Sequence, residues 1–169
     1  MQTFKIHDNN GRPFTVKVKP NKVQVLKNIN GTKYDETPQS LKVLFTVKVD
    51  HVFIGNRSPY FGHLYEWDED CIGAAMLLKC GKQYIYIGPL IYSFTPVEGD
   101  EILDFFTDMG GSDVTYSYAV GKNYVYLFSL DVIVIKDIDF RQDIFDQFHK
   151  RKVAVSKRLK PKIIEKRRW

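Results

Sequence analysis

The chain has 169 residues, 44% of them hydrophobic, which suits one domain with a sizeable core. It has no run of about 18 apolar residues, so a helical membrane span is not expected, and two cysteines are too few for a disulfide scaffold. The net charge of +5 is divided: residues 149–169 hold ten Lys or Arg against one acid (+9), which leaves residues 1–148, with 15 basic and 19 acidic residues, at −4. The high isoelectric point therefore belongs to the C-terminal stretch and not to the body.

Residues 3–7 alternate Phe4 and Ile6 with polar side chains, the period of a strand. Asp8-Asn9-Asn10-Gly11 is a hairpin signal, since Asn-Gly accepts positive φ. Phe14, Val16 and Val18 form the returning strand with Thr15, Lys17 and Lys19 on its other face. Val23 and Val25 start a third strand that Asn30-Gly31 closes, so the opening reads as an antiparallel meander with a solvated, lysine-bearing face. Residues 32–39 read as a loop, 41–49 as a strand, and 52–55 as its continuation or neighbour.

Residues 56–70 form a long irregular segment rich in aromatics (Tyr60, Phe61, Tyr65, Trp67) and acids (Glu66, Asp68, Glu69, Asp70). Loops of that length in compact domains are often functional, so its aromatics are candidate partner-binding residues. Three strands with short connections follow at 73–78, 84–87 and 91–94. Residues 102–107 fit helical spacing or a strand; one turn ending at Gly110-Gly111 is marginal as a helix, which favours the strand. Residues 108–113 read as a polar loop and 114–120 as irregular or extended, with strands at 124–127 and 132–135. The span 83–138 holds the densest run of aromatic and β-branched residues in the chain.

The period then changes. Phe140, Ile144, Phe145 and Phe148 fall at helical spacing with Asp139 as N-cap, which predicts a C-terminal helix over 139–151 packed on the sheet. The expected fold is mainly β or α+β: an antiparallel twisted sheet or partly closed barrel of roughly eight to ten strands, with that one helix. The expected division is a globular domain over 1–149 and a basic extension over 150–169, which Pro161 splits.

Four stretches, TFKIHDNNGRPF (3–14), VFIGNRSP (52–59), YIYIGPLIYSF (84–94) and GGSDVTYSYAVGKNYVYL (110–127), resemble in order a protein family of nucleocytoplasmic giant DNA viruses of the mimivirus-like and algal-virus kind. That family has prolines around the tyrosines after Ser112-Asp113-Val114, where this chain has Thr115 and Ser117. The resemblance implies a viral protein acting inside the host cell, in cytoplasm, virus factory or nucleus, or in the virion. It implies no activity, no cofactor and no catalytic residue, and the basic extension lies outside it.

The extension carries the strongest functional signal. Lys150, Arg151, Lys152, Lys157, Arg158, Lys160, Lys162, Lys166, Arg167 and Arg168 would neutralise phosphates, with sequence-independent affinity for nucleic acid or a ribonucleoprotein surface. Trp169 and the interspersed aliphatics would instead suit a viral or host protein partner. The bland reading is a solvated, solubilising tail.

Other candidates are weaker. The acids at 66–70 could hold a divalent metal, but contiguous loop acids are more often solvated, and the same holds for Asp100, Glu101 and Asp104. Gly110-Gly111-Ser112-Asp113 could cradle an anion, yet the Lys-Ser/Thr and helix of a phosphate-binding loop are missing, so a turn is favoured. Cys71 and Cys80, even with His63, lack zinc spacing and read as reduced thiols. Tyr84, Tyr86, Tyr92, Tyr116, Tyr118, Tyr124 and Tyr126 could stack on bases, but strand alternation puts about half of them in a core. His7, His51, His63 and His149 are scattered, and no hydrolase motif is present. The expectation is a non-enzymatic binding or adaptor protein without metal or cofactor. The alternatives are a virion structural or assembly component and, third, a metal-dependent enzyme using the acidic loop.

Overall fold

In the computed structural model the described residues are 2–7, 13–28, 41–55, 75–88, 90–110, 114–136 and 155–165. They form fourteen strands in three antiparallel sheets. The first sheet is a meander of β1 (Gln2–His7), β2 (Pro13–Lys19), β3 (Lys22–Asn28) and β4 (Leu41–Lys48) in chain order. The second joins β5 (His51–Ile54), β6 (Met76–Cys80), β7 (Gln83–Ile87) and β8 (Ile91–Phe94), with β14 (Lys162–Glu165) on its far edge. The third joins β9 (Ile102–Gly110), β10 (Val114–Gly121), β11 (Val125–Phe128) and β12 (Val132–Ile135), with β13 (Val155–Leu159) outermost.

The second sheet is the middle layer, and its sequence explains why. In β7 the pattern Tyr84-Ile85-Tyr86-Ile87 is buried on both faces. Successive side chains of a strand point to opposite faces. The aromatic face (Tyr84, Tyr86, and Tyr92 and Phe94 of β8) packs with Phe105, Tyr126 and Phe128 of the third sheet. The aliphatic face (Ile85, Ile87, Ile91, Met76, Leu78) packs with Ile6, Phe14, Val16, Val23 and Val25 of the first. In the aromatic layer Tyr86 stacks on Phe128 with centroids 4.7 Å apart, and Phe105 meets Phe128 edge-on at 5.7 Å.

Two expectations are corrected. The strands neither form one sheet nor close into a barrel. A sheet apolar on both faces buries more surface between two others than in a barrel wall that turns one face to water. The segment 108–110 is not loop but the end of β9, because Gly110, Met109 and Asp108 pair with Val114, Thr115 and Tyr116. The extended reading of 114–120 holds, with a shift of register between Val120 and Gly121. The strand reading of 102–107 holds. No helix occurs among the described residues, and the helix expected over 139–151 lies outside them.

The chain changes sheets at short, hydrogen-bonded links. Between β4 and β5 the Val49 amide donates to Asn21 O (3.0 Å) in the first sheet and the Asp50 amide to Lys79 O (2.8 Å) in the second. Gly55 sits where the second and third sheets meet; a Cβ there would collide with the Thr107 side chain and Ala75 O. Lys160-Pro161 joins β13 to β14 and so carries the chain from the third sheet to the second.

Candidate nucleic-acid interface

Much of the expected extension belongs to the sheets. Val155 to Leu159 pairs with β12, placing Leu159 opposite Val132 and Arg158 opposite Ile133. Lys162 to Glu165 pairs with β8, placing Ile163 opposite Tyr92 and Glu165 opposite Ile91. Leu159 packs against the aromatic core, which draws β13 in. Pro161, with no N–H to offer a ladder, falls between the two strands.

This arrangement sorts the basic residues. Lys157, Lys160 and Lys162 are exposed and have no carboxylate partner among the described residues. Arg158 donates from one guanidinium nitrogen to both oxygens of Asp131 (3.3 Å each) in the turn before β12. That pair is solvent-exposed and holds Arg158 in place more than it stabilises the fold. Glu165 is taken by Lys27 of β3 in a largely buried ion pair that ties the second sheet to the first. The acid closest in sequence to the cluster is thereby removed from it. Lysines on edge strands also discourage pairing with other chains, which is the plain structural reading of this strip. Lys150, Arg151, Lys152, Lys166, Arg167, Arg168 and Trp169 lie outside the described residues, as do Tyr60, Phe61, Tyr65 and Trp67.

The tyrosines are core and not a stacking platform. Tyr84, Tyr86, Tyr92, Tyr118 and Tyr126 are all buried: four of them lie in the aromatic layer between the second and third sheets, and Tyr118 clusters with Phe106, Val125, Leu127 and Ile135 of the third sheet. Tyr124 is half-buried, and the Tyr116 side chain lies outside the described residues. Hydroxyl partners are internal: Tyr92 donates to Ser129 O (3.0 Å), and Tyr86 donates to Ser117 Oγ (3.4 Å) beside the buried Thr107.

The acids at 100–104 each have a separate structural task. Asp100 accepts from the Tyr126 hydroxyl (2.6 Å) and the Asn123 amide (3.0 Å), and so fixes the turn between β10 and β11. Glu101 bridges Lys122 (3.0 Å) and Lys79 (3.3 Å), whose hydrogen bonds and charges hold its carboxyl below the usual range. Asp104 accepts from the Phe105 amide at 2.9 Å. Among the described residues no three His, Cys, Asp or Glu side chains stand together as a metal site. Glu66, Asp68, Glu69, Asp70, Cys71 and His63 lie outside them. Cys80 is a half-buried free thiol, pushed up by burial and then by the charge of Asp50, which is the wrong direction for a nucleophile.

A hollow of about 360 Å³ opens between the first and second sheets, lined by Gln2, Val18, Lys19, Pro20, Val49, Asp50, His51 and Val52. His51 rests edge-on against Phe53 (4.4 Å), and Asp50 accepts from the Gly81 amide (2.7 Å). Sequence reasoning missed Asp131 and the Lys27–Glu165 pair, since both depend on contacts between residues far apart in the chain. No helix among the described residues is long and apolar enough to cross a membrane. No family model matches this chain, and neither does any curated protein or solved structure.

Proposed function

We propose that this is a non-enzymatic binding protein that holds the phosphate backbone of nucleic acid along the basic edge formed by β13 and β14. The observation that supports it is the exposure of Lys157 and Lys162 on strands anchored to two sheets and of Lys160 in the short link between them, with no carboxylate among the described residues to neutralise them. Anchoring matters because charges held on strands need not be ordered at the moment of binding, unlike charges on a free tail. Each phosphate neutralised releases condensed counterions, so affinity follows salt and not base sequence. The viral setting implied by the resemblance belongs to this proposal. So does a role for the aromatic loop at 56–70 toward a protein partner.

The test is binding of the full-length protein to mixed-sequence nucleic acid, followed by fluorescence anisotropy over a range of salt. Replacing Lys157, Lys160 and Lys162 together with Gln is expected to lower the slope of log K against log salt by about 2–3, at ~0.9 for each phosphate no longer neutralised. Unchanged affinity and slope would sink the proposal.

A further inference from the structure

We infer that the outer face of the first sheet is a second contact surface for nucleic acid, one that grips the backbone of a duplex through a row of lysines. The register places Lys19 of β2 directly opposite Lys22 of β3, and Lys22 directly opposite Lys48 of β4. Their strand neighbours Val18, Val23 and Val47 pack into the core, so the three lysines share the other face, and all three are exposed. The adjacent row on that face is Thr3, Lys17, Gln24 and Thr46, which adds a fourth lysine and no acid. None of these four lysines has an ion pair among the described residues. Asp50, two residues past Lys48, turns its carboxylate to the Gly81 amide.

Like charges directly opposite one another weaken a sheet, so three in a line work against the stability of the meander. Such an arrangement is explained by a ligand that supplies the missing negative charge. Strands lie about 4.8 Å apart, so the row spans roughly 10 Å on a flat surface, with Lys17 set back by about 7 Å. Each strand of a duplex offers one charge per ~3.4 Å of axis, so such a row meets several phosphates at once. Neither row carries a Phe, Tyr or Trp that could stack on unpaired bases or anchor a protein partner. The surface thus suits backbone contact with a duplex, without base readout. The row is independent of the β13–β14 edge, because it lies on a different sheet and uses different lysines.

The test uses the full-length chain with Lys19, Lys22 and Lys48 all changed to Gln, a second variant with all three changed to Arg, and Lys82→Gln as an exposed control. The probe is mixed-sequence duplex DNA titrated over salt, with thermal melting run in parallel. The Gln row is expected to lose about 2–3 from the salt slope while its melting temperature rises, since binding and repulsion change in opposite directions. The Arg row and the control are expected to bind as the unaltered protein does. The inference is overturned if the Gln row binds duplex with unchanged slope, or if the Arg row loses binding too. It is also overturned if the Gln row loses affinity only for polyglutamate or anionic vesicles. A slope lowered here but kept when Lys157, Lys160 and Lys162 are changed would remove the β13–β14 reading and leave this one standing.

Discussion

Asp100 shows how little an acidic residue's neighbours in sequence say about its work. It stands in a Glu-Gly-Asp-Glu run that resembles a cap or a metal ligand, yet its two oxygens serve Tyr126 and Asn123, both more than twenty residues away. The Tyr126 hydroxyl also accepts from the Val97 amide at 3.3 Å, so one carboxylate organises the approach to β9 and the turn before β11. Asp100→Ala leaves the buried Tyr126 hydroxyl without its acceptor and is expected to cost about 1–3 kcal/mol, read from the denaturant midpoint. In a Tyr126→Phe background the same substitution should cost less, because the group left unsatisfied is gone. Equal costs in both backgrounds would show that Asp100 acts elsewhere. Candidate catalytic acids could not be sorted in the sequence for this reason. The acceptor was visible, but its donors were not.

At the level of elements, the strands of the body were largely legible, because alternation of apolar and polar residues and the turn residues between them are local signals. The role of β13 and β14 was not. Val155, Leu159, Ile163 and Ile164 are scattered among so many charges that the stretch reads as solvated, and only β12 and β8 show what it pairs with. An extension could be removed without harm; edge strands could not. Truncation before Val155 is expected to uncover the ladders of β8 and β12 and give a chain that aggregates or melts well below the intact protein, as followed by light scattering and circular dichroism. A truncated chain that stays monomeric with an unchanged melting curve would contradict this. Charge-removing substitutions, not deletions, are therefore the sound way to probe the lysines of these strands.

At the scale of the whole molecule, the second and third sheets are joined by an aromatic layer with buried tyrosines, and this makes its stability sensitive to alkali. Burial pushes Tyr86 up to about 12, with the Ser117 hydroxyl pulling slightly the other way, and burial pushes Tyr92 and Tyr126 upward as well. An unfolded tyrosine ionises near its ordinary value of 10.0. Below that pH both states are protonated, and the full stability is present. Above it the unfolded chain holds fewer protons than the folded one, so stability falls as pH rises from about 10 through about 12. The expected result is that these phenols ionise together with loss of near-ultraviolet circular dichroism. Ionisation of all tyrosines near their ordinary value with the fold intact would rule it out.

By itself the sequence determined the class of this protein: antiparallel strands, because period-2 alternation and Gly or Asn turns are written in neighbouring residues, and a cationic C-terminal stretch, because charge is counted and not folded. The tertiary structure decided the rest. A strand buried on both faces has the same pattern whether it lies in a barrel, a sandwich or a stack, so the three-layer order appears only when the aromatic face of β7 meets one sheet and its aliphatic face another. Lysines at 19, 22 and 48 become one row only when register sets their strands side by side. Non-local pairing is set by contacts that no window along the chain contains, and it is where the candidate surfaces of this protein arise.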